Sequence, residues 1–369
     1  MVQGGADRSG THRIVPALLW LIERLSRKHE VHVFALRHET APLHYALLGA
    51  EVHDLGGAGR RLGPGLLRLA PRLLRWLSRF GPFDLFHAYR GGGPGLLAAL
   101  ASVRAARPLV LTLDGGELVG LREIGYGLQL RRRDRAMLGV ALRRAQVLTV
   151  GSDFMRGLAQ SQGWTPQVIP WGVDTRVFTP DTNSVEGPPW RLVHVASLNE
   201  IKDPSTLLRA LRHIVDARGD VQLDVVGEDR LAGATQRLSA VLNLDRHVRF
   251  HGFLPTADVV PLVQAAHLML MSSRHDAAPV AVLEAAACGV PTVGTSVGHV
   301  ADGAGVRSLA VPVGDDRALA DAVLALLADP PRRRGLAGAA LGFARAFDSD
   351  WTAARFEALY AGLTPSARG

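Results

Sequence analysis

Two carboxylates stand eight residues apart in an otherwise apolar stretch, HDAAPVAVLEAAACGVPTVGTS, at residues 275–296. Asp276 precedes Pro279, which suits the first turn of a helix, and Glu284 follows it. At about 1.5 Å of rise per residue the two acids are on the order of 12 Å apart, too far to share a metal ion or to form a glycosidase acid pair. The spacing fits an elongated ligand held at both ends, with the helix N–H groups free to bind an anion between them.

A nucleotide sugar has this shape, because a diphosphate separates its sugar from its ribose diol. An ionised carboxylate can accept two hydrogen bonds from a diol, so each acid has a natural target. From this stretch alone the alternative is equally open: Asp276 caps the helix and Glu284 is an incidental helix acid.

The elements that must position these residues are predicted from alternating apolar, β-branched runs and helical patterns, which indicate an α/β protein with parallel sheets. The alternation occurs twice, on either side of a polar, proline-containing stretch at 177–190 that is predicted to be a linker. Two Rossmann-like domains that face each other would bind ligands in a central cleft, at the carboxyl ends of their strands. Strands are predicted at 31–36, 83–89, 108–113, 146–151, 191–197, 221–227, 247–252, 267–273 and 291–296.

Composition narrows the function classes. The single cysteine, Cys288, excludes an internal disulfide and fits a reducing compartment. No apolar run is long enough for a membrane span and no signal-peptide pattern is seen, so we expect a cytoplasmic protein. The net charge of +8 could indicate nucleic-acid binding. The arginines are spread along the whole chain without a nucleic-acid motif, so compositional bias is the better interpretation. Only two lysines occur, Lys28 and Lys202.

The segment SSRHDAAPVAVLEAAACGVPTVGTSVG resembles the signature S-x-x-E-G-x-P-x-x-x-L-E-A-x-A-C-G-x-P-V-V-x-T-x-V-G of the retaining GT-B-fold glycosyltransferases of the E-x7-E type, also called family 4 or group 1. Further similar pieces follow in family order, so the resemblance covers nearly the whole chain. They are SGTHR (9–13), GSDFM (151–155), PWGVDTRVF (170–178), VASLNEIKDPSTLLRAL (195–211), VVGED (225–229) and VRFHGFLP (248–255).

The resemblance implies a GT-B fold with an N-terminal acceptor domain at 1–176, a donor domain at 191–345 and a final helix at 346–369 that crosses back to the first domain. It implies that Glu284 binds the ribose hydroxyls and that Asp276, in place of the usual Glu, contacts the donor sugar near the reacting carbon. The remaining implied positions are Lys202 as the cation on the diphosphate, Ala277, Ala278 and Val280 at the helix start, Phe250 and His251 beside the base, and Ser9 and Gly10 in the N-terminal glycine loop.

Three departures from the family pattern concern the site. Ser197 stands where the family usually has an arginine, so a neutral hydroxyl replaces a second phosphate cation. Asp114 stands where the family has a histidine near the sugar and acceptor. Asp114 or Glu117 could supply a carboxylate there, or Asp114 could cap a turn. Only MVQ precedes the glycine loop, so we expect a truncated first strand and a start codon assigned too late.

These residues predict a retaining glycosyltransferase that uses a nucleotide-diphosphate sugar as co-substrate, with a glycan, lipid-linked or small-molecule acceptor and with no cofactor or metal. A nucleotide-sugar epimerase and a catalytically impaired binding protein remain the alternatives. Asp348-Ser349-Asp350 matches a metal-binding D-x-D pattern but precedes the final helix, where a capping role is predicted. His87 is predicted to be a satisfied core residue.

One arginine stripe suggests a further partner. In GLLRLAPRLLRWLSRF (65–80), Arg68, Arg72, Arg75 and Arg79 fall on one face of a predicted helix among leucines. Basic, apolar surfaces of this kind bind anionic lipid, which would place the protein peripherally at the inner face of the membrane. The alternative is a crossover helix with a solvated arginine face.

Overall fold

The computed structural model describes residues 1–2, 5–9, 14–36, 39–57, 69–181 and 186–364. The chain divides into two compact units. The N-terminal unit comprises Met1–Trp171 and Ser349–Gly369, and the C-terminal unit comprises Gly172–Asp348. Both units are built on mainly parallel sheets with helices between the strands, which confirms the predicted α/β class.

The described part of the N-terminal unit has seven strands in two groups. In the first, β1 pairs with β3 in parallel and β2 pairs with β3 antiparallel; in the second, four parallel strands follow the order β4-β5-β6-β7. Met1 and Val2 lie between the groups, because Val2 N–H donates to Phe34 and Tyr89 N–H donates to Met1. The strands are β1 (His32–Ala35), β2 (Leu43–Leu47), β3 (Ala50–Asp54), β4 (Phe86–Tyr89), β5 (Leu109–Leu113), β6 (Val147–Val150) and β7 (Gln167–Val168).

The α-helices in the described residues of this unit, apart from the last helix of the chain, are α1 (Pro16–Ser26), α2 (Ala70–Phe80), α3 (Gly93–Ala105), α4 (Arg132–Arg144) and α5 (Asp153–Gln160). Ser152 caps α5 by accepting from Met155 N–H. Pro71 lies in the first turn of α2, where a missing N–H costs nothing, so it starts the helix rather than breaking it. Arg68 of the predicted stripe lies outside the described residues.

The C-terminal unit has one six-stranded, wholly parallel sheet in the order β10-β9-β8-β11-β12-β13. This is the doubly wound order, in which successive strands are added on one side of β8 up to β10 and on its other side from β11 onwards. The strands are β8 (Trp190–Val195), β9 (Val221–Val226), β10 (Val248–Gly252), β11 (Leu268–Met271), β12 (Thr292–Thr295) and β13 (Ser308–Val311). The helices are α6 (Pro204–Ala217), α7 (Ala234–Val241), α8 (Thr256–Gln264), α9 (Val280–Ala287), α10 (Gly298–Asp302), α11 (Asp316–Ala328) and α12 (Pro330–Ala346).

The core of this unit lies between the sheet and helices such as α6. Asp203 caps α6, Pro204 opens it, and apolar residues at helical spacing such as Leu207, Leu211 and Ile214 are fully buried. Burial of each such side chain contributes about 1.5–3 kcal/mol. The packed sheet therefore holds its loops on a rigid base.

The last helix, α13 (Ser349–Ala361), belongs to the N-terminal unit and packs on α1. Arg24 on α1 donates to Asp350, and Lys28 pairs with Glu357 at 2.9 Å. Phe356, on this helix, is fully buried. The predicted crossing of the final helix back to the first domain is confirmed. None of the described helices is long and apolar enough to cross a membrane.

Candidate functional site

The C-terminal unit brings two loops together where its strand order reverses. β8 has β9 on one side and β11 on the other, so the loops after β8 and β11 leave the sheet side by side at its carboxyl edge. In doubly wound sheets this switch point forms the crevice in which ligands bind. Lys202 lies in the first loop and Asp276 in the second.

Hydrogen bonds fix these loops to each other. Arg274 N–H donates to the carbonyl of Ile201 at 2.8 Å, and the hydroxyl of Ser272 donates to the carbonyl of Lys202 at 2.7 Å. Lys202 N–H in turn donates to the Asn199 side chain at 3.1 Å. The backbone that carries the lysine is therefore bonded on both sides.

The Lys202 ammonium donates to Oδ2 of Asp276, and the two groups form an ion pair. Their side chains are 23% and 15% exposed, so the pair is accessible from solvent. The structure thus joins the predicted phosphate cation to the predicted sugar-contacting acid. Asp276 does not cap α9, because Pro279 occupies the cap position and the helix begins at Val280. The alternative that made Asp276 a helix cap is wrong.

Glu284 lies on α9 and is only 7% exposed. Burial raises the pKa of this carboxyl to about 7. Among the described residues, no hydrogen bond ends on its carboxylate. A buried acid left without a partner is costly, and such groups concentrate at functional sites.

The loop from Asp276 to Pro279 packs directly against Gly298. Gly298 has a φ of +50°, and a Cβ there would lie 2.8 Å from the Asp276 carbonyl oxygen and 2.6 Å from Pro279 Cδ. Only glycine fits this position without displacing the loop. Ala277 and Ala278, predicted to contact the donor, are buried within this loop, and Val280 is half-buried at the helix start.

The other predicted donor contacts are more dispersed. Ser197 is half-buried and follows β8. Phe250 and His251 lie on β10, the edge strand two positions from β8. The Phe250 side chain packs on the core, and His251 Nε2 bonds with Asp224 Oδ1 at 2.7 Å. The backbone groups of these two residues remain the predicted contacts to the base.

The N-terminal unit holds the remaining predicted residues. Asp114 follows β5 and accepts a hydrogen bond from the Tyr89 hydroxyl. Ser9 donates through its N–H and hydroxyl to Asp7 Oδ1; Gly10 lies outside the described residues. His87 bonds with Tyr360 and Thr112 at 2.7 Å each, which confirms a satisfied core histidine.

Sequence reasoning overlooked Tyr89 and the neighbouring Arg90. Tyr89 ends β4, which pairs with β5, so the two strands place Tyr89 beside the chain that leads to Asp114. The signal available in the sequence was a polar residue at the end of each of two neighbouring strands. Among the described residues, no group of three or more His, Cys, Asp or Glu side chains could hold a metal ion.

Comparison with known proteins agrees with this geometry. The family model for glycosyl transferases group 1 matches residues 189–329, and the model for glycosyltransferase family 4 matches residues 18–177. The D-inositol 3-phosphate glycosyltransferase of Corynebacterium aurimucosum is 30% identical over 212 residues, 53% of this chain and 50% of the relative. The D-inositol 3-phosphate glycosyltransferase 1 of Catenulispora acidiphila is 26% identical over 352 residues, 86% of this chain and 82% of the relative. The chain thus spans about half the length of the first relative.

Solved structures show the same fold at low identity. Sucrose-phosphate synthase from Thermosynechococcus elongatus superposes with a TM-score of 0.78 at 19% identity, over 93% of this chain and 91% of that one. The Anabaena protein HepE in complex with UDP and glucose gives a TM-score of 0.76 at 19% identity, over 98% of both chains. Together the two matched models account for most of the sequence, and the chain belongs to the group 1, family 4 glycosyltransferases with a GT-B fold.

Proposed function

We propose that this protein transfers a sugar from a nucleotide-diphosphate sugar to an acceptor hydroxyl, with retention of configuration and without a metal ion. The observation that carries the proposal is the pairing of Lys202 with Asp276 at the switch point, near a helix that buries the unpaired carboxylate of Glu284. The complexes of HepE with UDP and with UDP-glucose support a donor of this class.

Each group has a distinct task in the reaction. The bond between the anomeric carbon and the diphosphate oxygen breaks, and a bond from the acceptor oxygen to that carbon forms on the same face. The Lys202 ammonium stabilises the charge that grows on the leaving diphosphate. Glu284 accepts hydrogen bonds from the ribose diol, and Asp276 from the transferred sugar. The departing phosphate oxygen takes the proton of the acceptor hydroxyl.

The Lys202 ammonium uses one of its three N–H donors on Asp276 in this structure, so two donors remain for the diphosphate. The Asp276 carboxylate likewise keeps acceptor sites for sugar hydroxyls. Incubation with donor alone separates the transferase from an epimerase, because only an epimerase converts the donor sugar without an acceptor.

The chain offers a matched test, since each unit holds one of its two lysines. Lys202→Ala and Glu284→Ala are expected to lower kcat/KM at least 30-fold, because each removes a charged partner worth about 2 kcal/mol. Lys28→Ala is the control; its side chain is 68% exposed and pairs with Glu357. Circular dichroism checks that all three variants fold. Parent-level turnover by folded Lys202→Ala would refute the assignment.

The distribution of charge supports a peripheral membrane contact through the N-terminal unit. The N-terminal unit has 25 basic and 14 acidic residues, net +11, whereas the C-terminal unit has 17 and 20, net −3. Helices α2, α3 and α4 alone carry nine arginines and a single acid, Asp134. Exposed aliphatic side chains lie among them, at Leu74, Leu100, Val103 and Val140.

This arginine face, defined as α2, α3 and α4, fits the peripheral contact of a protein whose acceptor is lipid-linked. Arg72 donates to the Leu55 carbonyl, so the exposed Arg75 and Arg79 are the ones free to be tested. Their double change to Gln is expected to weaken binding to anionic vesicles about 30-fold, at about 1 kcal/mol per arginine. The control is the double change of Arg246 and Arg317 to Gln in the C-terminal unit. Equal binding by both double variants contradicts the assignment.

A further inference from the structure

Three histidines of the N-terminal unit lie together beneath helix α2. His32, His44 and His53 come from the neighbouring strands β1, β2 and β3. The His53 ring is parallel to the other two within 5°, with ring centroids 5.1 Å from His32 and 4.8 Å from His44. These three residues form the histidine stack. Its central member, His53, is fully buried.

Helix α2 rests on the histidine stack through two aromatic side chains. The Phe80 ring centroid lies 4.3 Å from that of His53, and 5.6 and 5.9 Å from those of the other two histidines. The Trp76 ring centroid lies 5.4 Å from that of His53. Of the residues of α2, only Leu73 is fully buried. Elements with few buried apolar contacts open at a low free energy, so α2 depends on its contact with the stack.

The hydrogen bonds of the stack leave no place for a further proton. His32 Nε2 lies 2.9 Å from Glu30 Oε1, and His32 Nδ1 lies 2.8 Å from His53 Nε2. An ionised carboxylate only accepts, so His32 carries its hydrogen on Nε2, and its Nδ1 accepts from the N–H of His53. The other ring nitrogen of His53, Nδ1, is buried and has no hydrogen-bond partner among the described residues.

A proton added to this network breaks it. On His32 Nδ1 it would face the His53 N–H, and two donors repel each other. His53 could shift its hydrogen to Nδ1 only by burying an N–H group without an acceptor among the described residues, which is costly. A charged His53 is disfavoured as well, since burial, followed by the charges of His32 and His44, lowers its pKa to about 3.

The acids around the stack do not bond to His53. Glu51 pairs with the outer ring, His44 Nε2, at 2.6 Å. Asp54 follows His53 on β3, so its side chain points to the opposite face of the strand, where it accepts two backbone N–H groups. Asp84 follows the aromatic residue that packs edge-on against His32, and it is exposed. A charge on His53 therefore remains without a direct anionic partner.

Helix α2 adds cations to the same region. The Arg79 guanidinium carbon lies 5.3 Å from the centroid of the Phe80 ring that covers the stack. Arg75 is exposed on the same helix, and Arg72 donates to the Leu55 carbonyl. Positive charge in the stack would repel these arginines, so protonation weakens the contact between the stack and α2 from both sides.

We propose that the histidine stack is a pH switch that controls whether α2 binds an anionic membrane. With a neutral stack, α2 keeps its aromatic side on the protein. When the stack takes up a proton, α2 detaches and presents Leu73, Trp76 and Phe80 to lipid, together with Arg75 and Arg79. A helix with one apolar and one basic side lies in the interface of an anionic membrane. The inference rests on the peripheral contact proposed above and specifies its regulation.

The membrane itself favours the released state. The negative potential of an anionic surface attracts cations, so protons are concentrated where the arginine face would bind. The released α2 is also the state that exposes most apolar surface to lipid. Anionic lipid and acid should therefore act in the same direction on α2.

The size of the effect follows from one proton. The pKa of His53 is about 3 while α2 is in place, and the ordinary value for an imidazole in water is 6.5. Such a group contributes stability that is present above pH 6.5 and is lost as pH falls below it. Between pH 7.5 and pH 5.5 the equilibrium constant for keeping α2 on the stack is therefore expected to fall about tenfold.

The first test needs no lipid. Hydrogen exchange of α2 peptides in the full chain is measured at pH 7.5 and pH 5.5 and expressed as protection factors, which correct for the intrinsic pH dependence of exchange. The parent is expected to lose about tenfold protection in α2 at pH 5.5. Peptides from the buried strand β5 should keep theirs, which separates local release from global unfolding. His53→Phe and His53→Leu keep an apolar contact without a titratable ring, and α2 should be equally protected at both pH values.

The second test measures binding to vesicles of phosphatidylglycerol and phosphatidylcholine by co-sedimentation at the same two pH values. The parent should bind about tenfold more tightly at pH 5.5, because the fraction of protein with a released α2 rises by that factor. The His53 variants should lack this rise. His29→Gln is the control for the charge that the 14 histidines of the chain gain in acid; its side chain is 53% exposed, and the variant should keep the tenfold rise.

Unchanged α2 protection in the parent between the two pH values would overturn the inference. An equal rise in vesicle binding by the parent and the His53 variants would also overturn it, because general charge would then explain the rise. Release of α2 in acid without vesicle binding at either pH would instead refute the peripheral contact, and lipid as the partner with it. The transferase assignment is tested separately, through turnover by Lys202→Ala.

Discussion

The two units share a parallel-sheet plan but carry charge of opposite sign. The C-terminal unit, net −3, has only one lysine and places it at the switch point against Asp276. The N-terminal unit, net +11, carries nine of its 24 arginines on the arginine face. The whole-chain value of +8 hides this contrast. It suggests a diffuse compositional bias, whereas division into units shows that all of the excess belongs to one of them.

Each unit buries a titratable group whose burial has an opposite consequence for stability. The C-terminal unit buries the acid Glu284 without a hydrogen-bond partner among the described residues, as a binding site would. The N-terminal unit buries His53 within a stack, with ring centroids 5.1 Å from His32 and 4.8 Å from His44. The acid is costly to ionise and the histidine is costly to protonate. Glu284 and His53 are therefore predicted to make stability respond to pH in opposite directions.

The largest effect on stability is expected from Glu284→Gln. The pKa of Glu284 is raised from 4.5 to about 7, so the folded state holds a proton that the unfolded state loses. Stability therefore falls as pH rises from about 4.5 through about 7, by about 3 kcal/mol in total. The glutamine variant should be more stable than the parent by about that amount at pH 8 and equal to it at pH 4.

Urea unfolding, with hydrogen exchange of peptides from α9 to identify the unit, measures this difference. Glu228→Gln is the control, because its side chain is 57% exposed in the same unit. Glu284→Gln should also lose donor affinity, which would show that the parent gives up stability in order to bind the donor. A Glu284→Gln variant that is no more stable than the parent at pH 8 would argue against a buried, uncompensated acid.

A smaller effect, seen at low pH instead of high pH, is expected from His53→Phe. Burial, and then the charges of His32 and His44, lower the pKa of His53 to about 3. The unfolded chain takes up a proton near pH 6.5 that the folded state refuses, so stability is lost as pH falls below 6.5. Between pH 7 and pH 5 this loss is about 2 kcal/mol, and the phenylalanine variant should lack it.

Unfolding curves of the parent and variant at pH 7 and pH 5, with hydrogen exchange of β3 peptides, measure the change. His29→Gln is the control, since its side chain is 53% exposed in the same unit. If acid destabilised the parent and His53→Phe equally, the stack would not be the source of acid sensitivity.

The same contrast explains how much could be predicted from the sequence. All nine predicted strands are present, because buried parallel strands read as continuous apolar runs. The hairpin of β2 and β3 was overlooked: its turn uses Leu48 and Gly49 at φ values of +52° and +82°, without the Asn-Gly or Asp-Gly signal of such turns. The strands β7 and β13 were also overlooked; β7 has only two residues, which is too short to give a pattern.

The candidate site divides in the same way. Lys202, Asp276 and Glu284 could be predicted as candidates because local motifs and their spacing carry the information. Arg90 could not, because its proximity to Asp114 depends on the register of β4 against β5, which no local pattern encodes. The hydrogen bond that places Glu117 beside Gly91 joins residues 26 positions apart and is likewise set by packing.

The smallest effect is expected from adding a second cation beside Lys202 in the C-terminal unit. Ser197 follows β8 at the switch point, five residues before Lys202, and is half-buried. Ser197→Arg should bring a guanidinium to the donor diphosphate and tighten nucleoside diphosphate binding about fivefold, or about 1 kcal/mol. The gain should shrink at high salt, because it is electrostatic.

Isothermal titration at low and high salt measures the gain in affinity. Ser161→Arg, an exposed site in the N-terminal unit, controls for the added charge alone. A gain of the same size from Ser161→Arg would assign the effect to long-range attraction. An unchanged affinity in Ser197→Arg would show that the side chain at this position does not reach the diphosphate.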